Sequence, residues 1–158
     1  MEKDSFPPLS AFVACNGDCR VSRCPYGCIS CELCIDACPH DAIFINQNLV
    51  AEVNEKKCVG CGTCIPECPQ NLLSLHNLAN PILVKCSNRS PREEAEKQCP
   101  TSCVGCGLCE ENCPAGAITV FENGAHINEE LCLSCGKCAI NCPRQAIFDR
   151  QNLFTSAR

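Results

Sequence analysis

The sequence predicts a small α+β protein in which two copies of one unit follow each other and are held together by cysteine-bound metal centres. Three observations lead to this prediction: a shortage of large apolar side chains, an internal repeat, and short apolar runs separated by turns. The chain has 158 residues, 21 of them cysteine, with no tryptophan and 4% aromatic residues. With cysteine set aside, about a third of the chain is left to build a core, so covalent or metal staples are expected.

The staples are either disulfides or metal centres. An odd number of cysteines would leave one thiol unpaired. Residues 1–8 contain no apolar stretch of signal-peptide length, so we expect a reducing, cytoplasmic location in which disulfides are rare. No apolar run approaches the length that spans a membrane, so we also expect a soluble protein without membrane insertion.

The sequence repeats itself. Residues 24–43 align without a gap onto residues 99–118, and residues 58–69 match residues 132–143. The segments that lead into each half, residues 12–15 and 83–86, are also alike. Such a repeat indicates an internal duplication in which each half carries two motifs.

We therefore divide the chain into five parts. The two repeated units occupy residues 25–77 and 100–149. An N-terminal lead-in covers residues 1–24, a connecting segment with a short helix covers residues 78–99, and a tail covers residues 150–158.

Secondary structure can be predicted around the motifs. In the second unit, Asn123-Gly124 between the apolar runs 118–121 and 125–127 predicts a β-hairpin. Its counterpart in the first unit is the run 43–45, a turn through 46–48 and the run 49–53. Between the units, Ser90 as N-cap, Pro91 at the first helical position and Glu93 in a capping box predict a short helix. It should end before Cys99, which precedes a proline.

Four runs share the spacing C-x2-C-x2-C-x3-C followed by proline, and they begin at Cys28, Cys58, Cys103 and Cys132. Three thiolates two residues apart let a tight loop cover one face of a [4Fe–4S] cubane. In chains with two such clusters, the fourth cysteine of each run binds the other cluster. The spacing therefore predicts at least four [4Fe–4S] clusters with ligands shared between neighbouring motifs.

The predicted ligand sets each take three cysteines from one motif and one from its neighbour. They are Cys28, Cys31, Cys34 and Cys68 for cluster 1; Cys58, Cys61, Cys64 and Cys38 for cluster 2; Cys103, Cys106, Cys109 and Cys142 for cluster 3; and Cys132, Cys135, Cys138 and Cys113 for cluster 4.

Zinc is the main alternative metal, but a zinc site pairs two C-x2-C elements around one ion and leaves a third cysteine in register without a role. The histidines, His40, His76 and His126, stand in loops or strand ends and complete no motif. Glycines inside the loops let backbone amides approach the sulfurs. These are Gly60, Gly62, Gly105, Gly107 and Gly136.

Five cysteines lie outside the motifs: Cys15, Cys19, Cys24, Cys86 and Cys99. The repeat pairs Cys15 with Cys86 and Cys24 with Cys99. Three interpretations stay open at this point. These residues are inert buried thiols, they form disulfides, which a reducing compartment disfavours, or those two pairs hold a fifth [4Fe–4S] cluster, with Cys19 as a substitute ligand.

The formal net charge is −5, and no Lys/Arg-rich run indicates a nucleic-acid partner. A [4Fe–4S]²⁺ core held by four thiolates carries about −2, so four clusters would add about −8. We therefore expect redox partners that present positive docking surfaces.

Each half resembles a bacterial two-cluster ferredoxin, and residues 12 to about 149 resemble the ferredoxin region of the B subunit of the Rnf complex, a ferredoxin:NAD⁺ oxidoreductase. The resemblance to this subunit is more specific than the motifs alone would make it, because the chain also has flanking cysteines at positions outside the motifs: Cys15, Cys19, Cys24, Cys86 and Cys99. That subunit also has an N-terminal membrane helix followed by a further cluster-binding segment. We expect neither here, because this chain starts about a dozen residues before Cys15.

The resemblance implies two tandem ferredoxin-like units that relay electrons. The chain would be the soluble wire subunit of a larger anaerobic oxidoreductase complex, with a catalytic or flavin subunit or a ferredoxin as partner. No nucleophile with a base, phosphate loop or nicotinamide-binding glycine motif is present, so we expect no catalytic residues. The alternatives are a diffusible low-potential polyferredoxin and a protein that stores or senses clusters.

Overall fold

The computed structural model describes residues 9–150. Its strands, in chain order from β1 to β8, are Leu9–Val13, Ile43–Ile45, Ala51–Val53, Leu73–Asn77, Ile82–Val84, Ile118–Phe121, Gly124–Ile127 and Ile147–Asp149. Its α-helices, α1 to α4, are Leu33–Asp36, Arg92–Gln98, Leu108–Glu111 and Lys137–Asn141, and a 3-10 turn covers Ile65–Glu67.

The strands form four two-stranded antiparallel sheets, two in each half. In the first half, β2 and β3 form an inner hairpin, while β1 pairs with β4 so that Leu9 lies opposite Asn77. The second half repeats this plan with the hairpin β6–β7 and the outer pair β5–β8. The duplication seen in the sequence is thus repeated in strand pairing, and the predicted α+β class is confirmed.

The outer pairs show how the leading segment of each half is used. Strand β1 precedes Cys15 and β5 precedes Cys86, yet each pairs with the last strand of its half. The division at residues 25–77 and 100–149 stays a prediction. The strand pairing also shows that residues before position 25 and before position 100 each supply one strand to the outer sheet of their half.

The predicted hairpins are present, with a difference in the first. Strands β6 and β7 match the prediction for the second half. Strand β3 begins at Ala51, two residues later than the pattern predicts, because Leu49 has a positive φ of 59° and belongs to the turn. The Asn46 side chain holds this turn, since its Oδ1 accepts the backbone N–H groups of Asn48 and Val50.

The helix between the halves ends where predicted, but its predicted capping is wrong. Helix α2 ends at Gln98, and Cys99 is extended with φ −153°. No side chain caps its N-terminus. The Ser90 hydroxyl instead donates to Oε1 of Gln98 at 3.0 Å, so it faces the far end of the helix rather than its first turn.

The apolar core consists of two small clusters, one in each half, and both contain cysteine. The first joins Cys34 and Cys64 to Ala11, Val13, Ile43, Val50, Ala51, Leu72 and Leu73. The second joins Cys109 to Ile82, Ile118, Ala125, Ala139 and Ile147. Most of the other motif cysteines pack at the edges of these clusters. His76 was expected in a loop or at a strand end, but it lies within β4 and is 1% exposed.

Polar contacts join the two halves. The Ser87 hydroxyl donates to the carbonyl of Ala14 at 3.0 Å, and the Thr101 hydroxyl donates to that of Asn16 at 2.9 Å. Arg150, just after the last strand of the second half, forms an ion pair with Glu55 of the first half. Among residues 9–150, no helix is long and apolar enough to cross a membrane.

All four motif loops follow one backbone path. The third residue of each motif has positive φ, at Ser30, Gly60, Gly105 and Ser134, and so does the fifth, at Glu32, Gly62, Gly107 and Gly136. Gly60 and Gly107 differ in how closely other atoms approach them. A Cβ on Gly60 would lie 2.7 Å from the carbonyl oxygen of Leu9 in β1, whereas a Cβ on Gly107 would meet nothing within 4 Å.

We predict different outcomes for Gly60→Ala and Gly107→Ala. Both replacements place a side chain at a left-handed residue, which costs about 1–2 kcal/mol. Gly60→Ala also forces β1 away from the loop, so it should lower the unfolding temperature of the cluster-loaded protein clearly more than Gly107→Ala. Thermal unfolding followed anaerobically by circular dichroism measures both, and equal shifts would contradict the close approach of β1.

Candidate iron–sulfur centres

The third cysteine of each motif lies deep in its group of thiols. Cys34, Cys64 and Cys109 are buried, and Cys138 is half-buried. The pKa of Cys34 is raised to about 11, by burial first and then by the nearby thiolates of Cys28, Cys68 and Cys31. Three of these four thiols come from the first motif, and Cys68 comes from the second.

The other three groups have the same composition, with burial as the first cause of each raised pKa and the neighbouring thiolates as a further cause. The pKa of Cys64 is raised in a group with Cys38, Cys58 and Cys61. The pKa of Cys109 is raised to about 12 in a group with Cys103, Cys106 and Cys142. The pKa of Cys138 is raised to about 11 in a group with Cys132, Cys113 and Cys135. In each group, the buried or half-buried thiol thus has neighbours from both motifs of its half. The assignment of the sixteen cysteines to four clusters stays a prediction.

Cavities in the first half coincide with two of these groups. One cavity is lined by Cys28, Cys31, Cys34 and Cys68, together with Val13 and Leu73 of the outer sheet. Another is lined by Cys38, Cys58, Cys61 and Cys64, together with Ala11. In each, four thiols from two motifs face a common space.

Each group reaches from the core to the surface. In the first three motifs the third cysteine is buried and the second cysteine (Cys31, Cys61 or Cys106) is exposed, while in the fourth motif Cys135 and Cys138 are both partly exposed. Apolar side chains beside them also face solvent, with Val59 61% and Leu133 70% exposed. One edge of each thiol group is thus accessible from outside the protein.

The fourth cysteine of each motif accepts the backbone N–H of the residue four positions later. The donors are Ala42 to Cys38, Leu72 to Cys68, Ala117 to Cys113 and Ala146 to Cys142, at 3.3–3.5 Å. Burial raises the pKa of Cys113, but the surrounding backbone N–H groups, Ala117 first, outweigh it and lower the pKa overall. Such bonds stabilise a thiolate and tune the potential of a bound cluster.

The thiol chemistry suits a cluster of several irons. All 21 cysteines lie within residues 9–150, and none is in a disulfide. The same residues contain no group of three or more His, Cys, Asp or Glu side chains placed to hold a single metal ion. Thiolates on one tetrahedral ion stand about 3.8 Å apart, from Zn–S bonds of about 2.3 Å. Thiolates on a cubane bind different iron atoms and stand farther apart.

The five cysteines outside the motifs lie together. Cys15, Cys19, Cys24, Cys86 and Cys99 line one cavity at the junction of the two halves. The repeat in the sequence indicated two matched pairs among them, but not that the pairs meet.

Three stretches of the chain match family models, each described as a 4Fe-4S dicluster domain. They cover residues 24–75, 57–118 and 102–146. The first and last each hold one pair of motifs, and the middle one bridges the two halves.

The chain is also similar to the B subunit of the Na⁺-translocating ferredoxin:NAD⁺ oxidoreductase complex of Acetobacterium woodii, with 37% identity over 105 residues. The match covers 66% of this chain and 32% of that protein, so the chain spans about a third of the length of this curated relative. The resemblance noted in the sequence is confirmed.

Among solved structures, the chain is similar to part of the formate dehydrogenase–heterodisulfide reductase–formylmethanofuran dehydrogenase complex from Methanospirillum hungatei. The similarity has 23% identity and a TM-score of 0.31, and it covers 78% of this chain and 52% of that one.

Paired substitutions test whether ligands are shared between motifs. If they are, Cys28 and Cys68 serve one cluster, and Cys28→Ser/Cys68→Ser should remove about four iron atoms per chain. The matched control, Cys28→Ser/Cys38→Ser, should then remove about eight, because these two cysteines serve different clusters. Motifs that each bind their own cluster would give the reverse result, with about eight lost from the first variant and about four from the second.

We also predict that folding depends on the clusters. The core is small and cysteines make up part of it, so chelation of iron should unfold most of the chain. Far-UV circular dichroism before and after anaerobic chelation measures the change. A cluster-free chain that kept the same spectrum and a cooperative thermal transition would contradict the prediction.

Proposed function

Because this chain is an iron–sulfur protein with tandem 4Fe-4S dicluster domains that hold several [4Fe–4S] clusters, we propose that it relays electrons between protein partners as a subunit of a larger oxidoreductase complex. The observation that carries the proposal is the meeting of sixteen cysteines in four groups, each drawn from two motifs. When bound, each such cluster accepts and releases one electron. The four groups are the ligand sets that we assign to clusters 1 to 4.

Sharing of ligands keeps the two groups of a unit close together. Cys34 and Cys38 belong to different groups, yet Cys38 follows Cys34 by only four positions; Cys34 lies within α1 and Cys38 just beyond its end. At a helical rise of about 1.5 Å per residue, four positions separate the two backbones by about 6 Å. The same short link joins Cys109 to Cys113 through α3. This spacing favours passage of electrons within a unit.

The surface around the groups suits brief docking of a partner. Cys61 is exposed beside Val59, and Leu133 is exposed next to Cys132. The net charge of −5 favours a partner with a positive surface around its own redox centre. Hydrophobic contact at an exposed centre with charge attraction around it permits specific but short-lived association.

Metal analysis tests the cluster content. Protein purified anaerobically should hold at least about sixteen iron atoms and sixteen acid-labile sulfides per chain, and should take up at least about four electrons from dithionite. Stoichiometric zinc with little sulfide would rule out the proposal. Clusters that bind but take up no electrons would favour a storage role.

Anaerobic purification of the protein from its native cells separates a subunit from a diffusible carrier. A wire subunit should elute with a larger oxidoreductase, and the complex should persist at low salt. A chain that elutes by itself at low salt, yet accepts electrons from one enzyme and donates them to another, would identify the diffusible polyferredoxin instead.

A further inference from the structure

The junction between the two units contains a cavity of about 240 Å³ whose walls carry five thiols. Cys15, Cys19 and Cys24 come from the segment before the first motif, and Cys86 and Cys99 come from the segment between the units. None of these cysteines belongs to the four groups described above. The cavity is also lined by Cys28, the first cysteine of the first motif.

Four of the five thiols form a connected set, in which Cys15, Cys24 and Cys99 are neighbours and Cys86 lies near Cys24. Burial raises the pKa of Cys15, and the nearby thiolates of Cys28 and Cys99 raise it as well. Burial also raises the pKa of Cys24, with the thiolates of Cys99 and Cys15 as further causes. The pKa of Cys86 is raised to about 12, by burial first and also by the thiolates of Cys103 and Cys24. Each of these four thiols therefore lies near at least one thiol from the other segment.

Close backbone contacts shape the same space. A Cβ on Gly17 would lie 3.5 Å from the sulfur of Cys99, and a Cβ on Gly27 would lie 3.6 Å from that of Cys15. The backbone therefore passes close to the sulfurs of Cys99 and Cys15 at two glycines, Gly17 and Gly27.

Backbone amides bind these sulfurs as they do in the four motif groups. The N–H of Cys28 donates to the sulfur of Cys15 at 3.5 Å, and the N–H of Cys103 donates to that of Cys86 at 3.2 Å. Asn88 donates a second N–H to Cys86 at 3.4 Å. Inert buried thiols need no such donors, whereas thiolates bound to metal are stabilised by them.

We propose that Cys15, Cys24, Cys86 and Cys99 hold a fifth [4Fe–4S] cluster that connects the two units. The segment before each unit supplies two of the four ligands, so the site is complete only when these two segments lie together. The polar contacts of Ser87 with Ala14 and of Thr101 with Asn16 hold the two ligand-bearing segments together.

The contacts also place this cluster in the order of the others. Cys28 is a ligand of cluster 1, and its amide bonds to Cys15; Cys103 is a ligand of cluster 3, and its amide bonds to Cys86. The fifth cluster therefore lies between clusters 1 and 3, and the five follow the order 2, 1, 5, 3, 4. Electrons can then pass from one unit to the other without leaving the chain.

Cys19 is the natural control. Its thiol donates to the carbonyl oxygen of Cys28 at 2.8 Å, and its N–H donates to the carbonyl of Asn48 at 2.9 Å. Both contacts tie it to the first unit rather than to the junction. Its pKa is raised by burial and then mainly by Cys28.

The experiment counts clusters in the full chain after anaerobic reconstitution with iron and sulfide. Native mass spectrometry of the unsubstituted chain should show five clusters, with about twenty iron atoms and an uptake of about five electrons from dithionite, one for each [4Fe–4S]²⁺ core reduced to [4Fe–4S]⁺. A chain that fills four clusters and never a fifth, or that binds one zinc besides sixteen iron atoms, overturns the proposal. Four working clusters would leave the proposed function intact.

Substitutions then assign the ligands. Cys15→Ser/Cys24→Ser alters only the segment before the first unit and Cys86→Ser/Cys99→Ser only the segment before the second, yet each should remove the same four iron atoms and lower the uptake by one electron. The quadruple variant should remove no more, and Cys19→Ser should remove none. A loss of about eight iron atoms from the quadruple variant, no loss from either double variant, or loss of a cluster from Cys19→Ser would contradict the shared site. If a double variant fails to fold, the count in the unsubstituted chain decides.

Discussion

The fold depends on one constraint, which is that four thiols must converge on each centre while the chain supplies only three from any one loop. In the ligand sets that we predict, the fourth comes from the neighbouring motif, and Cys68 lies beside Cys34 as this requires. With ligands shared in this way, neither motif would complete a centre alone, and cluster binding would close the unit over its whole length. This explains how such short sheets and helices, with so few apolar residues between them, form an ordered unit.

The backbone of the loops follows from the same constraint. Wrapping three thiols around one face requires left-handed residues at the third and fifth positions, and the chain uses glycine at five of these eight positions. Ser30, Glu32 and Ser134 adopt the same conformation without being glycine, which costs about 1–2 kcal/mol each. These three residues adopt the left-handed conformation all the same, which indicates that convergence of the thiols stabilises the loop by more than this conformation costs.

Duplication produced two similar units, but the contacts between them are not part of the repeat. Arg150 pairs with Glu55, and Asn77 donates its N–H to Glu129, each across the junction. The Ser87 hydroxyl, which donates to the carbonyl of Ala14, joins the two segments in which Cys86 and Cys15 lie. A repeated sequence therefore yields a junction with chemistry that one unit would lack.

The sequence by itself determined the motif loops, the hairpin β6–β7 and the end of helix α2, because each depends on residues a few positions apart. The tertiary structure decided what long-range packing controls. It paired β1 with β4 and turned Ser90 toward Gln98 instead of the helix start. It buried His76 within β4, edge-on to Phe12. Above all it brought Cys15, Cys24, Cys86 and Cys99 to one cavity, since spacing within a loop fixes local geometry but not how two units dock.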